Sequence, residues 1–458
     1  MDLNVVILAA GKGTRMKSTL PKVLQPLAKK PLLSHVLEVS YALKATNVVV
    51  VYGHGGEAVQ STVEKLHSEH TISWVEQEKQ LGTGHAVKVA LPKLTAGTQT
   101  LILYGDVPLV TEQTLRSFIE LTDDKGCGLL TVQLDNPAGY GRIIRSADYQ
   151  VEAIVEEKDA TDRQKQVTEV NTGIMLVNTA LLQKWLPTLS NSNSQGEYYL
   201  TDIVKMACDE HISVQASVVA DPMEVTGVND KVQLSQLERR YQQKQAEKLM
   251  RNGAILADAS RIDIRGDVTI GEDTFVDVNA VLEGTVSIGK NCLIGPNCTI
   301  INSSIGDNSV IHANTVIQDS SLGDTAEIGP FARIRPGTVT ESRVKIGNFV
   351  ETKKSHIDEG SKVNHLTYVG DAEIGKGVNI GAGTITCNYD GVNKHKTIIG
   401  DKAFIGSNTS LVAPLNIGEG ATIGAGSTVS KDAKAHALTV TRAKQITLAD
   451  WQRPVKKT

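Results

Sequence analysis

Short apolar runs alternate with amphipathic stretches from residue 1 to about residue 225. Val5–Leu8, Val48–Val51 and Leu101–Tyr104 are continuously apolar. A strand covered on both faces needs such a run, because its odd and its even side chains both leave water. Leu32–Leu43 and Gly84–Leu91 carry helical spacing between these runs. The rhythm predicts a doubly wound, Rossmann-like α/β domain over residues 1–228. Residues 229–252 hold neither proline nor glycine and are rich in helix formers. Asn229 or Asp230 can cap the start and Asn252-Gly253 can end the run, so a linker helix is expected there.

After about residue 260 the apolar period becomes six. Ile270, Val276, Leu282, Ile288, Ile294 and Ile300 set it. It resumes after a slip at Ile305, Ile311 and Ile317, then at Leu322, Ile328 and Ile334, and again from Ile399 through Ile405, Leu411, Ile417 and Ile423 to Val429. Six fits neither a helix nor a simple alternating strand. It fits a parallel β-helix over residues 253–458, in which each hexapeptide is one flat side plus a corner. Residues 386–397 break the register between Ile380 and Ile399 and must loop out of the coil, where function often sits.

Composition agrees with a coil of small and β-branched residues: aromatics are only 4% and glycine numbers 40 in 458 residues. The formal net charge of −4 gives no basic field for nucleic acid, and Lys456-Lys457 reads as a solvated tail. Five cysteines without CxxC spacing argue against a disulfide framework or a zinc site and fit a reducing cytoplasm. Met1–Asn4 lacks a basic leader and Val5–Ala10 is too short to span a bilayer, so no stable membrane association is expected.

Two places carry chemistry. The segment Leu8-Ala9-Ala10-Gly11-Lys12-Gly13-Thr14-Arg15-Met16 follows the first strand, and Lys22 comes seven residues after Arg15. Small residues let backbone N–H groups approach phosphate, and Arg15 and Lys22 add charge. The string is neither a Walker A loop nor a dinucleotide fingerprint. Asp106, in Tyr104-Gly105-Asp106, falls just past a central strand, where α/β sheets place ligands, and its oxygens suit Mg²⁺. In the second half His365, within Ser361–Asp371, is the natural base for an attacking amine near neutral pH.

The string LAAGKGTRM with the following LPK resembles the sugar-phosphate nucleotidyltransferases, and so do Gln80–Ala86, Tyr104–Leu109 and Glu169–Gly173. The repeat resembles the hexapeptide acyltransferases, which implies a left-handed coil where the general crossover rule would favour the other hand. Ser361–Asp371 and Trp451-Gln452-Arg453-Pro454 extend the likeness, so the whole chain resembles the bifunctional N-acetylglucosamine-1-phosphate uridylyltransferases/glucosamine-1-phosphate acetyltransferases.

The resemblance implies acetyl transfer from acetyl-CoA to glucosamine 1-phosphate. Attack of N-acetylglucosamine 1-phosphate on the α-phosphorus of UTP would follow. It puts Lys22 and Arg15 on the triphosphate, and Asp106 and Asn229 on Mg²⁺. It puts Ala9, Ala10, Gly11, Gln77, Gly82 and Thr83 on the uracil, with Leu8, Tyr104 and Gly105 in the same UTP-binding set. Gly141, Glu156 and Asn171 would hold the N-acetylglucosamine part. For acetyl transfer it implies Arg335 and Lys353 on the acceptor phosphate, completed by Tyr368 and Asn379. Asn388 and Tyr389 would bear on acetyl transfer, and Ala382, Ser407, Ala425 and Arg442 would line the acetyl-CoA cleft. Lys394 would reach a neighbouring subunit's site in a homotrimer. A β-helix that serves only as a structural tail, or only as a platform for trimer assembly, is the competing reading; it would not need His365, Arg335, Lys353 and Asn388-Tyr389.

Overall fold

The computed structural model describes residues 2–11, 13–53 and 55–456. Met1, Lys12 of the glycine loop and Lys457 of the tail lie outside the described residues. The chain divides into two compact units, Met1–Tyr241 and Gln242–Thr458.

The first unit is built on β1 (Leu3–Ala9), β2 (Asn47–Tyr52), β3 (Ser73–Glu76), β4 (Gln99–Tyr104), β5 (Cys127–Gln133), β6 (Arg142–Arg145), β7 (Val151–Val155), β8 (Glu169–Asn178) and β9 (Val214–Val219). Their order is β9-β5-β8-β4-β1-β2-β3, with β6 joined to β8 and β7. β1 is parallel to β2 and β4, as the apolar runs predict. β8 is antiparallel to both β4 and β5, which the βαβ rhythm did not reveal. Alternate residues of β1 serve two cores. Val5 and Ile7 pack with Leu33, Val36 and Val63 on one face, and Val6 and Leu8 with Val87, Trp185 and Ile203 on the other. Helices therefore cover both sides, which is why these strands read as unbroken apolar runs.

The expected linker helix spans Lys231–Arg251 and crosses the division between the units. Leu237 packs with Met16, Leu27, Leu109 and Val228 in the first unit, while Ala246 and Leu249 belong to the β-helix core.

In the second unit, among the described residues, strands stack into three parallel sheets of 11, 10 and 9. Face one begins at Ile255–Leu256, face two at Ile262–Arg265 and face three at Val268–Ile270. The inward aliphatics lie directly over one another, as Ile288 on Ile305, Ile294 on Ile311 and Ile300 on Ile317. The register also runs through the stretch from Ile334 to Ile399 where the six-residue pattern faded. Thr340, Thr352 and Thr386 there take inward positions beside Leu322, Ile334 and Leu411. All five cysteines are free thiols. No helix among the described residues is long and apolar enough to cross a membrane.

Two candidate active sites

The first site is a cavity of about 350 Å³ at the carboxyl ends of β1 and β4. Leu8, Ala9, Ala10, Gly11, Lys22, Gln77, Gly82, Thr83, Tyr104 and Asp106 line it, so most of the expected nucleotide set is gathered in one place. Gln80 and Glu197 line it too and were not expected. Gln80 donates its side-chain amide to the Ala10 carbonyl and so fixes the glycine loop. The loop bends back at Gly13, whose φ is +59°; a Cβ there would stand 2.7 Å from that of Lys22. Only glycine lets the chain pass so close to the lysine stem. The buried Gln77 amide donates to the Gly82 carbonyl at 3.1 Å, so it braces the Gly82 turn. Gly105 joins the two strand ends, with its N–H on the Leu8 carbonyl at 3.0 Å.

The candidate metal pair is brought together. The Val228 N–H donates to the Asp106 carbonyl at 2.9 Å, which places Asn229 beside Asp106. Each of the two is already met by a cation: Lys22 Nζ contacts Asp106 Oδ2, and Arg15 donates to Asn229 Oδ1 at 2.9 Å. Two oxygen donors fit a hard cation that fills its remaining positions with phosphate and water. A protein-only cage is not offered, since no group of three or more acidic, His or Cys ligands is arranged for a metal among the described residues.

Gly141, Glu156 and Asn171 do not line that cavity but form a separate wall. The Asn171 N–H donates to the Gly141 carbonyl at 2.8 Å, and a Cβ on Gly141 would stand 3.5 Å from the Glu156 carboxyl. Glu156 Oε1 accepts from the Thr201 hydroxyl at 3.0 Å. Burial, with Asp202, Asp159 and Glu197 nearby, holds the Glu156 carboxyl above its ordinary range. A bulge in β8 after Asn171 turns the strand at Gly173, φ +86°, where the Tyr104 ring leaves no room for a side chain.

The second site stands on the corner between face one and face two. The corner climbs by a backbone ladder: Leu366 N–H to Asn348 carbonyl, Gly383 to His365, Asn408 to Ala382 and Gly426 to Ser407. Asn348, His365, Ala382, Ser407 and Ala425 are thus equivalent positions on successive coils. His365 and three of the four expected acetyl-CoA residues share one edge, and Arg442 lies near it, 3.7 Å from where a Gly426 Cβ would be. His365 Nδ1 meets Asn348 Oδ1 at 2.7 Å. A carboxamide oxygen only accepts, so this contact requires the proton on Nδ1, and a neutral ring held this way carries its lone pair on Nε2. Asn348 was not among the expected residues.

Arg335 and Lys353 are equivalent residues at the far end of face two, and Tyr368 stands between them and His365. Arg335 donates to Glu351 at 2.5 Å. Gly370 has no side chain, which leaves the Tyr368 ring free to lie over it toward that cationic end. Lys394 lies against Lys353 within the same chain, and together with Arg335 it lowers the lysine's proton affinity. Asn379 is not on this face; it pairs with Lys362 on face one. The excursion is shorter than the expected 386–397: Thr386 still lies in the strand Ile385–Cys387 and Thr397 already opens the strand Thr397–Ile399, so the chain leaves the coil only over 388–396, as a built turn. Asp390 accepts from the N–H groups of Asn393 and Val392 and from His395, while the Asn388 amide donates to Asp371 and leaves Tyr389 exposed.

Residues 5–171 match a MobA-like NTP transferase domain, residues 264–352 a GMPPB C-terminal domain, and residues 396–431 six bacterial transferase hexapeptide repeats. The bifunctional protein GlmU of Marinobacter nauticus is 56% identical over 454 residues, covering 99% of each chain. That of Acinetobacter baumannii is 53% identical over 456 residues, covering 100% of this chain and 99% of the relative. The solved structure of HddC from Yersinia pseudotuberculosis complexed with GMP-PN aligns with a TM-score of 0.40 and 19% identity, over 52% of this chain and 99% of that one.

Proposed function

The chain belongs to the family of bifunctional GlmU proteins, and from that premise we propose how its two sites share the making of UDP-N-acetylglucosamine. It is an enzyme with two activities, glucosamine-1-phosphate acetyltransferase and N-acetylglucosamine-1-phosphate uridylyltransferase. The α/β unit is the nucleotidyltransferase half. The second unit, a left-handed β-helix of hexapeptide repeats, is the acetyltransferase half.

For acetyl transfer, His365 is the base. Asn348 holds the imidazole so that Nε2 accepts a proton from the amine of glucosamine 1-phosphate. The amine nitrogen bonds to the thioester carbonyl carbon, the carbon–sulfur bond breaks, and coenzyme A leaves as its thiol with that proton returned. Arg335 and Lys353 receive the acceptor phosphate. Ala382, Ser407, Ala425 and Arg442 hold acetyl-CoA along the corner, with Asn388 and Tyr389 beside the acetyl group. The observation that carries this reading is the His365–Asn348 contact on the same edge as the acetyl-CoA column.

For uridylyl transfer, a phosphate oxygen of N-acetylglucosamine 1-phosphate bonds to the α-phosphorus of UTP as the bond to the leaving pyrophosphate breaks. Alignment and charge neutralisation are what such a reaction needs. Arg15 and Lys22 supply charge at the triphosphate, the glycine loop with Gln77, Gly82 and Thr83 seats the uracil, and Gly141, Glu156 and Asn171 hold the sugar. Asp106 and Asn229 would hold Mg²⁺, which when bound neutralises and clamps phosphate oxygens.

We also propose a homotrimer. Phe331, Phe349 and Leu366 take left-handed backbone angles of +57°, +56° and +49° on the His365 corner, where coils above and below use Asn297, Asn314 and Asn408. Bulky residues rarely accept that conformation. They are 51%, 56% and 64% exposed, and the two phenyl rings stack at 5.4 Å. Neighbouring copies would cover them, and Asn379, on face one, would then complete a neighbour's acceptor site. The full chain is expected to sediment at three chain masses; a monomer at micromolar concentration overturns the trimer.

The test of the whole reading is a paired assay on purified protein. Thiol release from acetyl-CoA with glucosamine 1-phosphate and pyrophosphate release from UTP with N-acetylglucosamine 1-phosphate are both expected. Absence of thiol release from folded protein would return the β-helix to a structural tail.

A further inference from the structure

Arg142 is the first residue of β6, and only 1% of it is exposed. Its guanidinium donates to the Tyr140 carbonyl, to the Lys165 carbonyl through Nε at 3.3 Å and Nη2 at 3.2 Å, and pairs with Glu157 at 2.7 Å. The same Glu157 oxygen accepts the Gly139 N–H at 3.2 Å. One buried cation and one carboxylate thus grip both ends of Gly139–Tyr140, immediately before Gly141. Glu157 is also the neighbour of Glu156. Of two successive carboxylates, one faces Thr201 on the sugar wall and the other ties down the loop.

We infer that Arg142 and Glu157 are positioning residues for the sugar phosphate: their clasp sets Gly141 against Asn171 and Glu156 and so fixes the shape of the sugar wall. The inference rests on the reading that Gly141, Glu156 and Asn171 hold N-acetylglucosamine 1-phosphate. A buried guanidinium is worth its desolvation only when its donors are met, and here a rigid fork meets two carbonyls and a carboxylate at once. A lysine in its place could not reach all three. The nucleotide cavity shares none of these contacts, so its affinity for UTP has no reason to change.

Steady-state uridylyl transfer by the full-length chain tests this, with each substrate varied in turn, for Glu157→Gln, Arg142→Lys and the double variant, and for Asn171→Ala as a reference. The KM for N-acetylglucosamine 1-phosphate is expected to rise about tenfold in both single variants, with the KM for UTP within about twofold. The double variant should be little worse than either single one, as befits one clasp. Acetyl transfer by the same samples should be unchanged. Glu157 is the half-exposed partner, so Glu157→Gln keeps the test open if Arg142→Lys folds poorly. If Asn171→Ala raises the sugar KM and the clasp variants do not, the clasp is overturned while the wall stands. An equal rise in both KM values also overturns it, since that is general loosening. If Asn171→Ala leaves the sugar KM unmoved, the wall itself is misplaced and the clasp loses its role with it.

Discussion

His365→Ala is expected to lower acetyl transfer by about 10²–10⁴ and to leave uridylyl transfer at the wild-type rate. The imidazole, held by Asn348 through Nδ1, can offer its Nε2 lone pair to the amine proton. Asn348→Ala should act more mildly, on the order of tenfold, because the ring stays but loses the partner that fixes its tautomer. It should lower kcat and leave the KM values for both substrates within about twofold, which a purely structural asparagine would not do. Thiol release measured with each substrate varied, for wild type and both variants, checks this. Full acetyl transfer by His365→Ala would remove the base from the mechanism.

Asp106→Ala should do the reverse, with uridylyl transfer down by about 10²–10³ or more and acetyl transfer intact. The carboxylate is the only charged member of the metal pair, and it also balances Lys22 at the mouth of the cavity. Removing it leaves that ammonium, largely shielded from water, without its counter-charge. A melting curve therefore belongs beside the rate, and Asp106→Asn, which keeps the shape, separates lost charge from lost packing. Pyrophosphate release is the readout. Equal loss of both activities in Asp106→Ala or in His365→Ala would contradict two independent sites.

How much of this the sequence revealed depends on how each residue type advertises its task. Isoleucine every sixth position announces a coil, because an aliphatic side chain has little else to do there. The pattern faded between Ile334 and Ile399 because Thr352 and Thr386 stand where an aliphatic was sought. A threonine of nearly valine shape fits the interior when its hydroxyl is met by Thr338 or by the Gly370 carbonyl. The glycine loop, Asp106 and His365 were legible because their neighbours narrow the chemistry. Asn348 was not, since its counterparts on earlier coils are Pro296 and Ala313, so no repeated polar residue marks the position. Arg142 and Glu157 look like surface charge until burial is known. The antiparallel direction of β8 was hidden for a simpler reason: a covered strand shows the same apolar run whichever way it points.

The stacked corner has a consequence for how this half of the molecule tolerates length changes. Each face spends about six residues, so chain position is also angular position, like hours on a dial with three marks. Asn348 and His365 share a mark because 17 residues separate them, one full circuit. Six extra residues between them would leave the interior as well filled as before, yet would carry the imidazole a third of the way round, onto an edge with no asparagine to meet it. A whole extra circuit inserted upstream would only make the column taller.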